Sequence, residues 1–417
     1  MGSSSRLRLT TAFSLLLIFA VALVVLGSTK LTTLAADTSL KLSPKTEHSS
    51  AAQASSCGVW NVVPSPNIGT GQNQLLGVTA ISATNVWAVG DSTNSLGYDQ
   101  TLTEQWNGAN WSVVSSPNSG IGYNYLEGVA AVSANNIWAV GAYPYNSYYQ
   151  PLIEQWNGTS WNVVSSPIIG TDGSVLDGVA RVPGSSKVWA VGDEVTSNGI
   201  VQTLIERWNG TSWNVVSSPN VGSYANYLEG VTAVSANNIW AVGWYENSMN
   251  GPIQSLIERW NGTSWNVVSN PNPAAGADAL NGIARIAGTS QLVTVGTSAN
   301  SIYGIDQTLI EQWNGTNWNV VSSPNVGSYA NYLDGVAAVS ANNIWAVGAY
   351  NNSVNWQILI EQWNGTNWNV VSSPNPGTNS DFLRSVARVP RTNQVWAVGY
   401  DNTSSNGPYQ TLIEFYC

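Results

Sequence analysis

The sequence predicts an all-β fold. It is a seven-bladed β-propeller of four-stranded antiparallel blades, its ring closed by an N-terminal strand that pairs with the C-terminal blade. Three observations carry this reading. One unit recurs seven times from Cys57 onward, with its WAVG-type segment at Trp87, Trp138, Trp189, Trp240, Val293, Trp345 and Trp396, a spacing of 51 to 53 residues. A period of this size built from strands points to a propeller, because a single repeat cannot bury its own faces. Each unit holds four short β signals, and no segment keeps a helical period over enough residues to count. The two ends are also out of phase: the array starts on a fourth strand, Val59-Trp60-Asn61-Val62-Val63, and stops on a third, Thr411 to Tyr416.

Before the array, Arg6 and Arg8 precede an apolar run of 16 residues, Ala12 to Gly27, and then Thr33-Leu34-Ala35-Ala36. Residues 1–36 therefore read as a signal peptide cleaved near Ala35 or Ala36. The alternative is an uncleaved N-terminal anchor, since the run is near the lower length that spans a bilayer. Residues 37–56 are rich in Ser, Thr, Ala and Lys, hold the only histidine, His48, and read as a flexible linker. Residues 57–417 form the propeller.

Within one copy, LEGVAAV (126–132) is the first strand, IWAVG (137–141) the second, LIEQW (152–156) the third and WNVVSS (161–166) the fourth. Val, Ile and Trp favour strands. The first turn is Ser133-Ala134-Asn135-Asn136 and the second Asn157-Gly158-Thr159-Ser160, where Asn-Gly supplies the positive φ of a tight hairpin. Tryptophan recurs at the second strand, at the end of the third (Trp106, Trp156, Trp208, Trp260, Trp313, Trp363) and at the start of the fourth (Trp60, Trp111, Trp161, Trp213, Trp265, Trp318, Trp368). That regularity assigns these rings to the wedge between blades. Aligned on an internal blade, Tyr416 replaces Trp106, Cys417 replaces Asn107 and Cys57 replaces Gly108. The only two cysteines thus meet where other blades have a turn, which predicts a Cys57–Cys417 disulfide in an oxidising compartment.

From Cys57 onward 8 Lys and Arg face 21 Asp and Glu. This balance argues against nucleic acid or an anionic membrane as partner; a membrane enters only through an uncleaved N-terminal segment. No catalytic histidine lies in the array, no nucleophilic cysteine remains once the two pair, and no His/Cys cluster has metal-site spacing. Glutamate recurs at one third-strand position (Glu104, Glu154, Glu206, Glu258, Glu311, Glu361, Glu414), which points to a repeated structural hydrogen bond. The acids that break the repeat are Asp91, Asp99, Asp172, Asp193, Glu194, Glu246, Asp306, Asp381 and Asp401. None forms a recognisable catalytic pair, and a loop calcium site built from Asp and Asn oxygens stays open. Arg181, Arg285 and Arg388 share one first-strand position in blades three, five and seven. They either line the central channel or, in the preferred reading, pair with nearby acids.

In such a meander the second-to-third loops and the inter-blade loops share one face. They are long and variable, and 16 of the 17 tyrosines lie in them or at their strand junctions. Tyr with Asn and Ser gives rigid amphipathic contact and adaptable hydrogen bonds, and binding residues collect on loops of a rigid scaffold. The ligand-binding candidates are Tyr143, Tyr145, Tyr148, Tyr149, Trp244, Tyr245, Tyr350, Trp356 and Tyr400.

At the blade level the strand ending in glycine (IWAVG), the variable loop and the aromatic–turn–Trp strand (EQWNGTSW) resemble kelch-type propellers over residues 57–417. Here one glycine, Gly141, stands where kelch repeats have two. The NGTSW turn is similar to the Asp-box turn of sialidase-like propellers, without its aspartate. The repeats look most like those of exported bacterial propeller-repeat proteins. The copper and cysteine–tyrosine chemistry of some kelch-type oxidases has no matching residues, so the resemblance implies the fold and a scaffold for binding. The reading is an exported, extracellular and non-catalytic module that binds a glycan or an extracellular protein, with no cofactor and no oligomeric state set by the sequence. The alternatives are a glycoside-active hydrolase or lyase with carboxylates on the same face, and a structural or adhesion surface protein.

Overall fold

The computed structural model describes residues 57–167, 172–301, 303–402, 404 and 407–417. The signal peptide and linker expected over 1–56 lie outside the described residues. Among the described residues no helix is long and apolar enough to cross a membrane.

Twenty-eight strands, β1 (Trp60–Val62) to β28 (Gln410–Tyr416), follow one another. In blade two the strands Tyr125–Ser133, Asn136–Tyr145, Tyr148–Trp156 and Trp161–Val163 pair antiparallel in sequence order. The first strands of the seven blades touch in a closed cycle, blade seven returning to blade one. Each carries a one-residue bulge, as between Leu126 and Gly128. The glycine is required by close approach: a Cβ on Gly128 would lie 2.8 Å from the Asp177 carbonyl oxygen of the next blade. Blades therefore meet backbone to backbone at the inner ring and spread outward.

Tryptophan fills the wedge that opens. Trp138 of blade two meets Trp208 of blade three at 4.7 Å and Trp213 edge-on at 5.3 Å and 82°. The same triad forms at Trp87, Trp189, Trp240, Trp345 and Trp396. Only blade five substitutes a smaller residue, Val293, itself fully buried. Removing a ring at a fully buried wedge leaves a cavity that strands on both sides cannot close. Trp138→Ala is therefore expected to lower unfolding free energy by about 3–5 kcal/mol. Denaturant titration checks this, and a change under about 1 kcal/mol would remove the rings from their structural role.

The ends close as the phase shift predicts. β1 pairs with β28, setting Trp60 opposite Tyr416, and Cys57 is disulfide-bonded to Cys417 with Cα atoms 4.8 Å apart. Trp60 and Tyr416 both pack on Trp345 of blade six, while Trp396 of blade seven receives Trp106 and Trp111 of blade one.

The glutamate position departs from a uniform hydrogen bond. All seven side chains are fully buried, yet only three accept from the preceding blade: Glu206 from Ser166 at 2.6 Å, Glu311 from Asn270 at 3.4 Å and Glu414 from Ser373 at 2.6 Å. In Glu104, Glu154, Glu258 and Glu361 neither oxygen has a partner among the described residues. The reason lies two strands away. The serines that could serve these four, Ser65, Ser116, Ser218 and Ser323, bond instead to Thr411, Thr101, Thr203 and Thr308 of their own blades. Blades two and six carry Pro151 and Ile358 at the threonine position, so Ser166 and Ser373 turn to the next glutamate.

The arginine expectation is also corrected. Arg285 donates to the backbone carbonyls of Thr289 at 2.8 Å and Val234 at 3.2 Å, holding the longer turn of its blade. Arg181 and Arg388 are exposed at the same turn end. In blade five, then, this position braces the turn.

Candidate functional site

Antiparallel order puts the short turns at one end of the ring and the variable loops at the other. The turn end is uniform and polar, with Asn157 Oδ1 accepting the amides of Thr159 and Ser160 at 2.9 and 3.0 Å, a pattern repeated at Asn209 and Asn261.

The loop end is different, above all at blades one and two. The second and third strands of blade two run on into a hairpin where Tyr145 pairs with Tyr148. Asn146, at φ 55°, allows the two-residue turn. Tyr145, Tyr148 and Tyr149 are exposed. The neighbouring loop packs onto this hairpin, since a Cβ on Gly120 would meet the Pro144 carbonyl at 2.9 Å. That loop presents Ile121, 90% exposed, and Tyr123, and blade one adds Leu96, 78% exposed, and Tyr98. Tyr98 and Tyr123 meet edge-on at 5.6 Å, and Tyr125 and Tyr149 at 5.7 Å. Aromatic and aliphatic side chains thus form one exposed patch across two blades.

The other candidates are placed differently. Tyr143 is half-buried against the core between blades one and two. Trp244 is only 2% exposed and stacks on Tyr227 at 4.0 Å, and Tyr400 is buried between Phe382 and Tyr409. These two pack strand ends and present no ring to solvent. Tyr245 and Tyr350 are half-buried, their hydroxyls bonded to Gln254 and Gln357. Trp356 lies between Tyr332 and Phe382.

One of the repeat-breaking acids, Asp381, is structural. Buried Asn73, Asn124, Asn226 and Asn331 accept loop amides at the entry of their blades. Asp278 and Asp381 occupy the same slot in blades five and seven, accepting from the Ala274 and Gly377 amides. Burial pushes Asp381 up to about 7, against the pull of the Gly377 amide.

Sequence reasoning missed the bulge position of the first strands. It reads Leu76, Glu127, Asp177, Glu229, Asn281, Asp334 and Arg384 around the inner ring. Arg384 is its one cation, bonded to Asp334 at 3.1 Å. Asp334 also lies 3.5 Å from the Asn281 amide. Asp91, at the end of the second strand of blade one, has its carboxyl raised well above the usual range, by burial first and then by Asp99 and Glu127. The Leu before every bulge and the Gly after six of the seven, with Ser385 in blade seven, hid this position, because variation between them reads as ordinary surface drift. Among the described residues no three His, Cys, Asp or Glu side chains gather as a metal site.

No protein-family model matches the chain, nor does any curated protein sequence. Solved structures do match. YCF48 bound to D1 peptide aligns with TM-score 0.52 and 15% identity over 88% of this chain and 100% of that one. YCF48 from Cyanidioschyzon merolae aligns with TM-score 0.52 and 14% identity over 86% and 99%. A PL25 polysaccharide lyase, ulvan lyase, aligns with TM-score 0.49 and 10% identity over 86% and 94%. The first two share the propeller fold.

Proposed function

We propose that this protein is an exported, kelch-like propeller that acts as a non-catalytic docking module, taking an extracellular protein on the loop face of blades one and two. The observation that carries it is the exposed patch of Leu96, Tyr98, Ile121, Tyr123, Tyr145 and Tyr148. Tyrosine rings alone suit a sugar as well as a protein. Exposed aliphatic side chains favour the protein, because a sugar gains little from Leu96 and Ile121 while a protein interface buries such groups at its centre. A propeller scaffold carries a peptide in the YCF48 complex, which is precedent for the scaffold only. The disulfide agrees with an oxidising, extracellular location.

The test offers wild type and a Tyr145→Ser, Tyr148→Ser, Tyr149→Ser variant both to the extracellular proteins of the cells that export it and to a glycan array. The expected result is a protein retained by wild type and lost by the variant, with the array silent. Specific glycan binding lost in the variant would overturn the protein reading in favour of a sugar.

A further inference from the structure

The balance of 8 basic against 21 acidic residues from Cys57 onward, which argues against an anionic membrane, describes neither end of the ring. Seven of the 8 cations lie at the turn end. In blade three Arg181 closes the first strand (Ser174–Arg181), Lys187 precedes the second (Val188–Val195) and Arg207 is next to last in the third (Val201–Trp208). Arg259 repeats the Arg207 position in blade four, Arg285 closes a first strand in blade five, and Arg388 does so in blade seven, with Arg391 in the turn that follows. Only Arg384, paired with Asp334 in the inner ring, lies elsewhere. The turns at this end hold no Asp or Glu, and the nearest carboxylates, those of the glutamate ring, are fully buried. Arg259 donates to Asn238 Oδ1 at 2.9 Å and Arg285 to backbone carbonyls, neutral partners that leave the charge in place. The acids that break the repeat sit at the other end, as Asp91 and Asp99 do on either side of the blade-one loop. The propeller is thus positive at one end and negative at the other.

One of these cations is held against backbone preference. Arg391 has φ 66°, where the matching turns of blades three and five have Gly184 at φ 71° and Gly288 at φ 78°. The other non-glycine residues at positive φ among the described residues are Asn146, Asn250 and Ser353, all short and polar. A long side chain there is strained, and strain kept at one residue points to a use for that residue.

We infer that the turn end is a docking face for an anionic lipid surface, on which the propeller stands with its loop face directed outward. Screening decides between the two ends. A strand of eight residues spans about 25 Å against a Debye length of about 8–10 Å, so a surface at the turn end meets the cations and is screened from the acids. Shape selects the occupant. Arg181 on blade three and Arg388 and Arg391 on blade seven are exposed and stand across the closed ring from one another. A bilayer reaches both sides at once, whereas a linear polyanion follows one. Chain entry agrees: Cys57 is held at this end by Cys417, so an uncleaved N-terminal anchor would join the ring on the side that faces lipid.

Co-sedimentation of the full chain with mixed phosphatidylglycerol–phosphatidylcholine vesicles, beside phosphatidylcholine vesicles, tests this face. Binding is expected to be much tighter to the anionic vesicles and to fall steeply as salt is raised. Both arms carry the same apolar run, Ala12 to Gly27, so the difference between vesicles reads the charge. Arg391→Gly should weaken anionic binding about fivefold while melting no lower than the parent, because glycine suits that φ. Misfolding then cannot explain the loss. Arg181→Gln, Arg388→Gln and Arg391→Gly together should weaken it about a hundredfold. The Tyr145→Ser, Tyr148→Ser, Tyr149→Ser variant should bind vesicles like the parent. Equal binding to both vesicle types, or unchanged binding by the triple arginine variant, would overturn the proposal. Loss in the tyrosine variant would move the contact to the loop face and overturn it too. Salt-labile self-association without vesicles, lost in the triple arginine variant, would assign the cations to the acidic end of a second copy instead of lipid.

Discussion

Replacing Cys57 and Cys417 by serine is expected to lower unfolding free energy by about 6 kcal/mol, the loop-entropy value for a closed loop of this length. The disulfide joins residues 360 apart in sequence, so the unfolded chain loses far more freedom to it than to a local bridge. The fold depends on that link because the strand it holds is short. β1 has three residues paired to β28, and through Trp60 it also fills the wedge against Trp345. Freed from Cys417, the strand can fray, and blade seven then loses its outer edge. A single Cys57→Ser change should match the double variant, since the chain has only 2 cysteines. Denaturant titrations of wild type with and without reductant, beside the variants, read the effect. A loss under about 1 kcal/mol would mean that the pairing of β1 closes the ring unaided.

Acidification is expected to stabilise the protein. Burial pushes the carboxyls of Glu104, Glu258, Glu311, Glu361 and Glu414 up to about 8 and Glu206 to about 7, and it raises Glu154 as well. In the unfolded chain these groups titrate near 4.5. Between the two values the folded state holds protons that the unfolded state has released. Stability is therefore fully present below about 4.5 and is lost as pH rises toward about 8. Crediting each glutamate with a single pKa unit, the melting temperature should rise by about 10 °C between the alkaline and acidic limits. Glu104→Gln isolates one site. Neither oxygen of Glu104 has a partner among the described residues, so the neutral amide should stabilise by about 1–3 kcal/mol at pH near 8 and by little at the acidic limit. Glu414→Gln should gain less, since Ser373 already donates to that carboxylate. Melting curves across this range check both. A melting temperature that is flat or falls toward acid would contradict the buried-glutamate account.

The parts of the fold that repeat were legible in the sequence. The spacing of the Trp-Ala-Val-Gly segments, the Asn-Gly turns and the displaced ends define blades, hairpins and closure, because each depends on local residue chemistry copied seven times. The disulfide was legible for the same reason: Cys57 and Cys417 fall where the copies have Asn and Gly. What the copies share could not reveal how they differ in contact. The glutamates look identical in sequence, yet Pro151 and Ile358, three residues before theirs, decide whether a serine serves the next blade's glutamate. Tyr148 and Trp244 look alike as loop-face aromatics, but Trp244 falls on the strand face that stacks against Tyr227, whereas Tyr148 closes a projecting hairpin.

Placing a photo-crosslinking amino acid at Tyr148, and separately at Thr159 on the turn end, in cells that produce the protein tests most directly where function resides. The predicted result is a discrete protein adduct from position 148, lost when Ile121 and Leu96 are changed to serine, and none from position 159. Adducts from position 159 alone, or equally from both, would contradict the assignment of function to the loop face.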